Sequence, residues 1–436
     1  MRYAIIGSGV AGLAAVEAIR SVDRSGEVIM LGDDPHGYYS RPGLAYLLSG
    51  ELPDKLLFPK TREDYSRLNF QYKKARVTEI DRPNKSLHLD DKTLLTYDKL
   101  LIATGACAVP LSIPGANLQG VVKLDHLDDA RGILKLAKRG RTAVVIGGGI
   151  TALELTEGLL ARGMRVHYLL RGNRYWSSVL DENESRIVEA RLQEEGVELH
   201  YRSEVQEILG KSGKVAGVRL HNGETLKCSL VAYAVGIQPR LELARAADLA
   251  IERGILVNEY LQTNDPHIYA AGDVAQVHDP LTGRSVLDSL WSTAREQGYG
   301  AGLRMAGQGK PYVKTVPFNV TRLAGLTTTI IGAVGHGRDE DVMGIARGDS
   351  ETWRQLPDAM VAQGGFSINS VRLLVGEEHL IGAVVMGDQK LSTPLQRIIS
   401  EKINIASIRS KLLAKDAKVA DVIADFWSQH VRVLSP

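Results

Sequence analysis

Short apolar runs alternate with longer stretches of helical period along most of this chain. An apolar run over residues 3–6 leads into the turn GSGVAG, and a pattern with helical period follows from Leu13 to Ile19. The same order returns at residues 142–146, where the turn GGGITA precedes a helical pattern that reaches Arg162. Repeated strand, turn and helix predicts an α/β fold with parallel sheets.

The first glycine-rich turn has the residues that a dinucleotide site needs. Gly7 permits the tight turn, Gly9 lets backbone N–H groups approach a pyrophosphate, and Gly12 lets the helix pack closely on the strand. The next predicted strand, over residues 27–31, is followed by Asp33, whose carboxylate can accept hydrogen bonds from the ribose of an adenosine. This spacing predicts a first dinucleotide site.

The second turn repeats these requirements with one change. Gly147 and Gly149 occupy the first two positions, and Ala152 replaces the third glycine while still allowing close packing. The strand that follows carries no carboxylate at its end. Arg171 comes directly after it, and Arg174 comes three residues later.

Arginines at this strand end suit a 2′-phosphate, which an acidic residue would repel. This favours NADPH over NADH, but Leu170 at the discriminating position enforces neither, so both nucleotides stay open. Two dinucleotide sites in one chain predict FAD as the tightly held cofactor and NAD(P)H as the exchangeable one.

Composition narrows the classes of partner. With 53 Lys and Arg against 51 Asp and Glu, the formal net charge of +2 gives no global field for nucleic acid or an anionic membrane. No apolar stretch reaches about 18 residues, so no membrane span is expected. Small molecules or small proteins are the expected partners.

Cysteine and histidine usage adds two expectations. The two cysteines, Cys107 and Cys228, are far apart and fit a reducing compartment, and we expect a cytoplasmic protein in which both thiols are buried. The eleven histidines show no metal-ligand spacing, so we predict no protein-bound metal.

Two further motifs make the pattern specific. With "YDKLLIATGA" and "LQTNDPHIYAAGDVA" added to the glycine turns, the chain resembles the FAD-dependent pyridine nucleotide-disulfide oxidoreductase superfamily. It is most similar to rubredoxin and ferredoxin reductases and to the flavin part of nitrite reductases. In that superfamily the first motif, here Ala103, Thr104 and Gly105, closes the first nucleotide half. The second contains Gly272 and Asp273, and the resemblance implies that this aspartate binds the ribityl chain of FAD.

The resemblance covers nearly the whole chain and implies its domain organisation. We expect two Rossmann-like, glutathione-reductase-like domains and a C-terminal α+β interface domain. The FAD domain is split between residues 1–110 and 241–314, the NAD(P)H domain spans 111–240, and the interface domain spans 315–436. Residues 345–365 fit least and are expected to be a loop or short insertion. The resemblance also leaves open a homodimer formed through the interface domain.

One position departs from the thiol-dependent members. Their loop before the second helix contains a reactive cysteine, and here Pro42 takes its place. A proline cannot supply a thiolate but suits the first turn of a helix. The resemblance then implies an NAD(P)H oxidoreductase that passes electrons through flavin, without a thiol relay, to a rubredoxin-like or ferredoxin-like carrier or a partner metalloenzyme. Two alternatives stay open: an NAD(P)H oxidase or quinone reductase, and a flavin-bound redox sensor or subunit with slow turnover.

The resemblance also implies roles for other residues. Glu154 is expected near nicotinamide and flavin, with a solvated helix glutamate as the alternative. Arg41 is expected over the flavin edge, with an ion pair to a nearby carboxylate such as Glu51 as the alternative. Trp291 is expected beside the flavin pyrimidine, with a core position as the alternative. The remaining implied cofactor contacts are Pro42, Ile150 at the position of the nicotinamide gate, Gly236 and Ser292.

Overall fold

The chain begins with the two predicted strand, turn and helix units. The computed structural model describes residues 1–280, 283–335, 346–354, 359–366 and 369–434. The first 110 residues contain β1 (Arg2–Ile6), α1 (Val10–Val22), β2 (Glu27–Gly32), α2 (Gly43–Ser49), α3 (Arg62–Leu68), β3 (Gln71–Lys74), β4 (Val77–Asp81), β5 (Ser86–Leu89), β6 (Leu94–Thr96), β7 (Lys99–Ile102) and β8 (Ala106–Ala108). A 3-10 helix at Asp54–Leu57 follows α2.

The second unit continues directly from the first. It contains β9 (Val121–Val122), α4 (Leu127–Leu136), β10 (Thr142–Ile146), α5 (Ile150–Ala161), β11 (Arg165–Leu169), α6 (Glu182–Glu194), β12 (Glu198–His200), β13 (Val205–Lys211), β14 (Lys214–Leu220), β15 (Thr225–Lys227), β16 (Leu230–Tyr233) and β17 (Ile237–Pro239).

The chain then returns to the first unit before it enters the C-terminal part. The return contains α7 (Glu242–Ala246), β18 (Ile255–Leu256), β19 (Ile268–Ala270), β20 (Ala275–Asp279), β21 (Arg284–Val286) and α8 (Trp291–Met305). The C-terminal part contains β22 (Phe318–Leu323), β23 (Leu326–Gly332), a 3-10 helix (Glu351–Arg354), β24 (Met360–Phe366), β25 (Asn369–Val375), β26 (Leu380–Met386), α9 (Ser392–Ser400), α10 (Ala406–Leu412) and α11 (Val419–Leu434).

Two five-stranded parallel sheets confirm the predicted fold class. The first has the order β19-β7-β1-β2-β3, and the second has the order β12-β11-β10-β16-β9. The strand order reverses beside β1 in the first sheet and beside β10 in the second, which is the arrangement of a doubly wound nucleotide-binding fold. The strand β19 completes the first sheet only after the whole second unit has intervened. This topology agrees with a split first domain, whose exact bounds stay a prediction.

The C-terminal sheet is antiparallel, with the order β22-β23-β26-β25-β24. Its two faces have different neighbours. Ile330 and Val384 belong to the buried cluster that also contains Leu153 of α5, whereas Ile331 and Val385 pack with α9. The sheet therefore lies between the second nucleotide unit and the C-terminal helices.

The segment expected to be a loop or insertion is partly a strand. The residues Met360–Phe366 pair antiparallel with β25 over seven positions, so the expectation was wrong for this part. Backbone pairing formed this strand although Gly364 and Gly365 weaken its local strand pattern. Residues 345 and 355–358 of that segment lie outside the described residues. Among the described residues, no helix is both long and apolar enough to cross a membrane.

Candidate functional site

A cavity of about 1200 Å³ opens at the carboxyl edge of the first parallel sheet. Residues that follow β1, β2, β7 and β19 line it, because the carboxyl ends of parallel strands meet at one edge. Residues of α5 and of β22 line its far side. The predicted site residues in its wall are Gly7, Gly9, Asp33, Arg41, Pro42, Ala103, Thr104, Gly105, Ile150, Glu154, Gly272, Asp273 and Trp291.

The first glycine turn has the shape of a phosphate cradle. Gly7 has a φ of +118°, and a Cβ there would lie 2.1 Å from the carbonyl oxygen of Ala103. A Cβ on Gly12 would lie 2.1 Å from the carbonyl oxygen of Gly7, which shows how closely α1 approaches the turn. By contrast, no atom lies within 4 Å of a Cβ placed on Gly9. The open space beside Gly9 and the start of α1 fit a pyrophosphate, as the sequence predicts.

Two carboxylates at strand ends complete this side of the cavity. Asp33 is exposed after β2, and Asp273 is half-buried after β19. Burial raises the pKa of Asp273, and the nearby guanidinium groups of Arg347 and Arg41 oppose that shift. Hydroxyl groups of a ribose or a ribityl chain are suitable donors to such carboxylates. The residues present therefore fit FAD.

Arg41 belongs to a charged cluster that the sequence analysis did not predict. Its Nη2 lies 3.4 Å from Nδ1 of His126, and Nη2 of Arg240 lies 3.2 Å from Nε2 of the same ring. Burial and then Arg41 lower the pKa of His126. Glu51, the example given for a carboxylate partner of Arg41, is paired with Arg322 instead.

The same cluster contains a buried aspartate. Asp125 is 1% exposed, and it forms an ion pair with Arg347 and another, at 3.2 Å, with Lys123. Burial raises the pKa of Asp125, but Arg347, His126 and Lys123 outweigh burial and lower it to about 2. Arg41, Arg240 and Arg347 thus bring three guanidinium groups to the cavity wall. Guanidinium groups in the wall of the cavity suit an anionic cofactor.

These residues had only weak signals in the sequence. Arg240 follows the loop of Gly236, and Asp125 and His126 precede α4 without any motif. Arg347 belongs to the segment that was expected to be an insertion. Residues 319–321 of the C-terminal part also line the cavity.

Glu154 faces the cavity from α5. Burial and the neighbouring Glu157 raise its pKa from 4.5 to about 8, and Arg347 and Arg322 oppose this shift. At neutral pH the carboxyl group is therefore mainly protonated. The alternative of a solvated surface glutamate was wrong, since the side chain borders the cavity and its charged form is poorly hydrated.

The glycines of the second turn lie outside the large cavity, although Ile150 and Thr151 of the same turn line it. A Cβ on Gly147 would lie 2.3 Å from the carbonyl oxygen of Ala234 and 2.9 Å from Cβ of Ala152, so the close packing expected here is present. Gly149 and Gly236 line a separate cavity of about 20 Å³, together with Ala346. A Cβ on Gly149 would lie 3.3 Å from Cβ of Ala346, so the open side of this turn faces the segment that carries Arg347.

The two arginines predicted to bind a 2′-phosphate differ in their surroundings. Arg171 is exposed directly beyond β11. Arg174 is half-buried and donates a hydrogen bond from Nη2 to the carbonyl oxygen of Ser177 at 3.2 Å. Of the two side chains, that of Arg171 is the more exposed to solvent.

The remaining predictions concern residues near the cavity mouth. Trp291 is 43% exposed at the start of α8, so the alternative of a core position was wrong. Ser292 is exposed and does not line the cavity. Cys228 is buried as expected, but Cys107 is half-buried in the cavity wall, so the expectation of two buried thiols was wrong. Its thiol accepts a long hydrogen bond from Nε2 of Gln238 at 3.8 Å.

Known proteins share both the sequence pattern and the fold of this chain. A sequence model described as "Pyridine nucleotide-disulphide oxidoreductase" matches residues 1–298. The nitrite reductase [NAD(P)H] of Bacillus subtilis is 28% identical over 405 residues, which are 92% of this chain and 47% of that protein. The chain thus spans about half the length of this curated relative.

Two further matches extend over more of the related protein. Rhodocoxin reductase of Rhodococcus erythropolis is 34% identical over 295 residues, covering 67% of this chain and 68% of that protein. The crystal structure of a ferredoxin reductase from Rhodopseudomonas palustris has a TM-score of 0.84 at 26% identity, covering 97% of this chain and 99% of that one. The fold therefore has a solved counterpart.

Proposed function

Because this chain belongs to the pyridine nucleotide-disulphide oxidoreductase family, we propose that it is the NAD(P)H-dependent flavin reductase of an iron-sulfur carrier or of a partner metalloenzyme. It is an oxidoreductase, and its cofactors are FAD and NAD(P)H. The finer proposal is that electrons leave toward a one-electron protein without a thiol relay. The similarity to rhodocoxin reductase and to a ferredoxin reductase supports this choice of acceptor.

The observation that carries the proposal is the placement of Pro42 and the two cysteines. Pro42 lies at the start of α2 and in the cavity wall, where thiol-dependent relatives place their cysteine. Cys107 borders the cavity, whereas Cys228 is buried among apolar residues beneath the sheet β13-β14-β15. A dithiol relay needs two thiols within bonding distance. Cys107 and Cys228 form no disulfide and lie in different parts of the fold, which supports transfer without a dithiol relay.

The residues of the cavity then act by positioning. Bound FAD supplies the chemistry that accepts a hydride from NAD(P)H and releases electrons singly. The turn at Gly7 and Gly9 holds the pyrophosphate, Asp273 binds the ribityl hydroxyls, and Arg41 places positive charge at the flavin edge. Protonated Glu154 would add no negative charge near the flavin and nicotinamide rings, and its carboxyl group could hydrogen-bond to the nicotinamide.

An acceptor can approach the site at its mouth. Tyr46, Trp291 and Val320 line the cavity and are 39%, 43% and 51% exposed. Exposed aromatic and aliphatic side chains beside a redox site are suited to a protein partner. A homodimer stays a prediction, which light scattering of the purified protein tests.

Anaerobic reduction tests the proposed activity. We expect the flavin spectrum of the purified protein to bleach with NAD(P)H, and a ferredoxin or rubredoxin to be reduced faster than oxygen or a quinone. Fast oxygen or quinone consumption with slow carrier reduction would favour the oxidase alternative. Bleaching that is slow with both nucleotides would favour the sensor or subunit.

A cysteine variant tests the absence of a relay. In Cys107→Ser with Cys228→Ser, carrier reduction should stay within about twofold of the native rate, because no thiolate takes part. A loss of more than about tenfold, with flavin reduction by NAD(P)H intact, would establish a thiol step.

The choice of nucleotide is tested by measuring the affinity for NADPH and for NADH in the native protein and in Arg171→Ala. The variant should lose affinity for NADPH alone.

A further inference from the structure

A cluster of metal-binding side chains lies outside the cofactor cavity, on the second parallel sheet. Among the described residues, His167, Glu198 and His200 each offer one ligand atom, and these atoms all lie within 4.8 Å of one another. Nδ1 of His167 is 3.1 Å from Nε2 of His200 and 3.2 Å from Oε2 of Glu198. Sequence spacing did not show this group, because His167 is separated from the others by α6.

Strand register explains why the three side chains meet. The parallel strands β11 and β12 pair His167 with Glu198 and Leu169 with His200. Alternate residues of a strand share a face, so all three side chains point to the same side of the sheet. Leu199, between the two ligands of β12, packs in the core on the opposite side. Backbone pairing therefore holds the three ligands in place before any ion binds.

The distances suit a small transition-metal ion. Zinc bonds of about 2.0–2.1 Å in tetrahedral geometry place neighbouring ligand atoms roughly 3.3 Å apart. The two measured separations, 3.1 and 3.2 Å, require little movement to reach that spacing. Two imidazoles and one carboxylate are a typical ligand set for zinc, copper, nickel or cobalt, whereas calcium and magnesium prefer oxygen ligands alone.

The cluster lies at the boundary between the protein interior and the solvent. The side chain of His167 is only 17% exposed, while that of Glu198 is 68% exposed. One side of the cluster is thus enclosed and the other is open to entering ions and to water as a further ligand.

We infer that His167, Glu198 and His200 form a binding site for a divalent transition-metal ion of the zinc class, separate from the cofactor cavity. The site has three protein ligands and a position open to solvent. It joins β11 to the edge strand β12, so an ion bound there stabilises that edge of the sheet. The inference is independent of the proposed electron acceptor.

Zinc binding to the flavin-loaded full chain, without a histidine tag, tests the inference. After treatment with a chelator and its removal, we expect equilibrium dialysis to show one zinc ion per chain. His167→Ala and His200→Ala should each weaken binding by about tenfold or more, and Glu198→Gln should weaken it less. His88→Ala is the matched control, because His88 is an exposed strand histidine paired with Glu79 but lacks a second histidine. Its zinc affinity should equal that of the native protein.

Copper binding gives a readout that loss of folding cannot imitate. The electron paramagnetic resonance spectrum of bound Cu²⁺ should show coupling to two imidazole nitrogens in the native protein and to one in each single-histidine variant. Far-ultraviolet circular dichroism and the flavin spectrum verify that the variants are folded. Zinc affinity that is unchanged in both His167→Ala and His200→Ala, or the absence of stoichiometric zinc binding in the native protein, would overturn the inference.

Discussion

At the scale of single residues, the cavity of this flavoprotein is bordered by two carboxyl groups whose pKa values are shifted in opposite directions. Asp125 stays ionised although it is buried, because Arg347, His126 and Lys123 surround it. The pKa of Glu154 is shifted in the opposite direction, because burial and Glu157 outweigh the effects of Arg347 and Arg322. Two carboxyl groups that border the same cavity therefore differ in charge at neutral pH.

The protonation of Glu154 has a measurable consequence for stability. Its folded-state pKa, about 8, exceeds its ordinary value of 4.5, so the folded protein keeps a proton that the unfolded chain releases. The stabilisation is complete below about pH 4.5 and is lost as the pH rises through about 8. Between about pH 5 and about pH 8, the Tm of the native protein should fall more steeply than that of Glu154→Gln, which cannot ionise there.

Thermal unfolding of the flavin-loaded proteins across this range is the measurement. Glu63→Gln on the exposed surface of α3 is the control and should follow the native protein. Parallel curves for Glu154→Gln and the native protein would contradict a protonated Glu154.

At the scale of elements, the contact between α1 and α8 positions the first glycine turn. Gly298 and Gly302 of α8 face Ala11 and Ala15 of α1, and a Cβ on Gly298 would lie 2.1 Å from the carbonyl oxygen of Ala11. The helices approach so closely only because these positions lack side chains. Since α1 begins at the turn, its position also sets the shape of the pyrophosphate cradle.

Gly298→Ala should separate the two helices. We expect a loss of about 1–3 kcal/mol in unfolding free energy and weaker FAD binding, because backbone rather than a flexible side chain must move. Gly300→Ala is the matched control on the same helix, since its Cβ would lie at an ordinary distance of 3.4 Å from Leu261. That control should be neutral or slightly stabilised. Denaturant unfolding and flavin release measure both effects, and equal behaviour of the two variants would contradict the packing explanation.

At the scale of the whole molecule, a buried ion pair joins the second nucleotide unit to the C-terminal sheet. Arg372 of β25 is fully buried and donates to both oxygens of Glu184 on α6, at 2.9 and 3.0 Å. It also donates to the carbonyl oxygens of Val179 and Val334. Removal of one charge leaves the other buried without its partner.

Arg372→Met should therefore destabilise the protein by about 3–5 kcal/mol. In Arg372→Met with Glu184→Leu, much of this loss should return, because no unpaired charge remains. Thermal unfolding of the two single variants and the double variant measures the coupling. Additive losses in the double variant would contradict a strong interaction between the two side chains.

The cofactor turns and fold class were predictable from the sequence, but the charged cluster was not. Gly7 and Gly12 are required by local backbone geometry, so their spacing alone indicates the turn. Arg347 contacts Asp125 across 222 residues of sequence, and no local pattern records that pairing. The expectation of an insertion at residues 345–365 failed for the same reason, since β24 is formed by pairing with β25.

The sequence by itself determined the two nucleotide turns and the parallel α/β units. These features depend on neighbours within a few residues, and their physical requirements are visible in residue type and spacing. Only the tertiary structure decided that Arg347 lies at the cavity, that Ala346 lies against Gly149 and that His167 meets His200. Such contacts depend on the path of the chain and on strand register, which bring together residues that are remote in sequence.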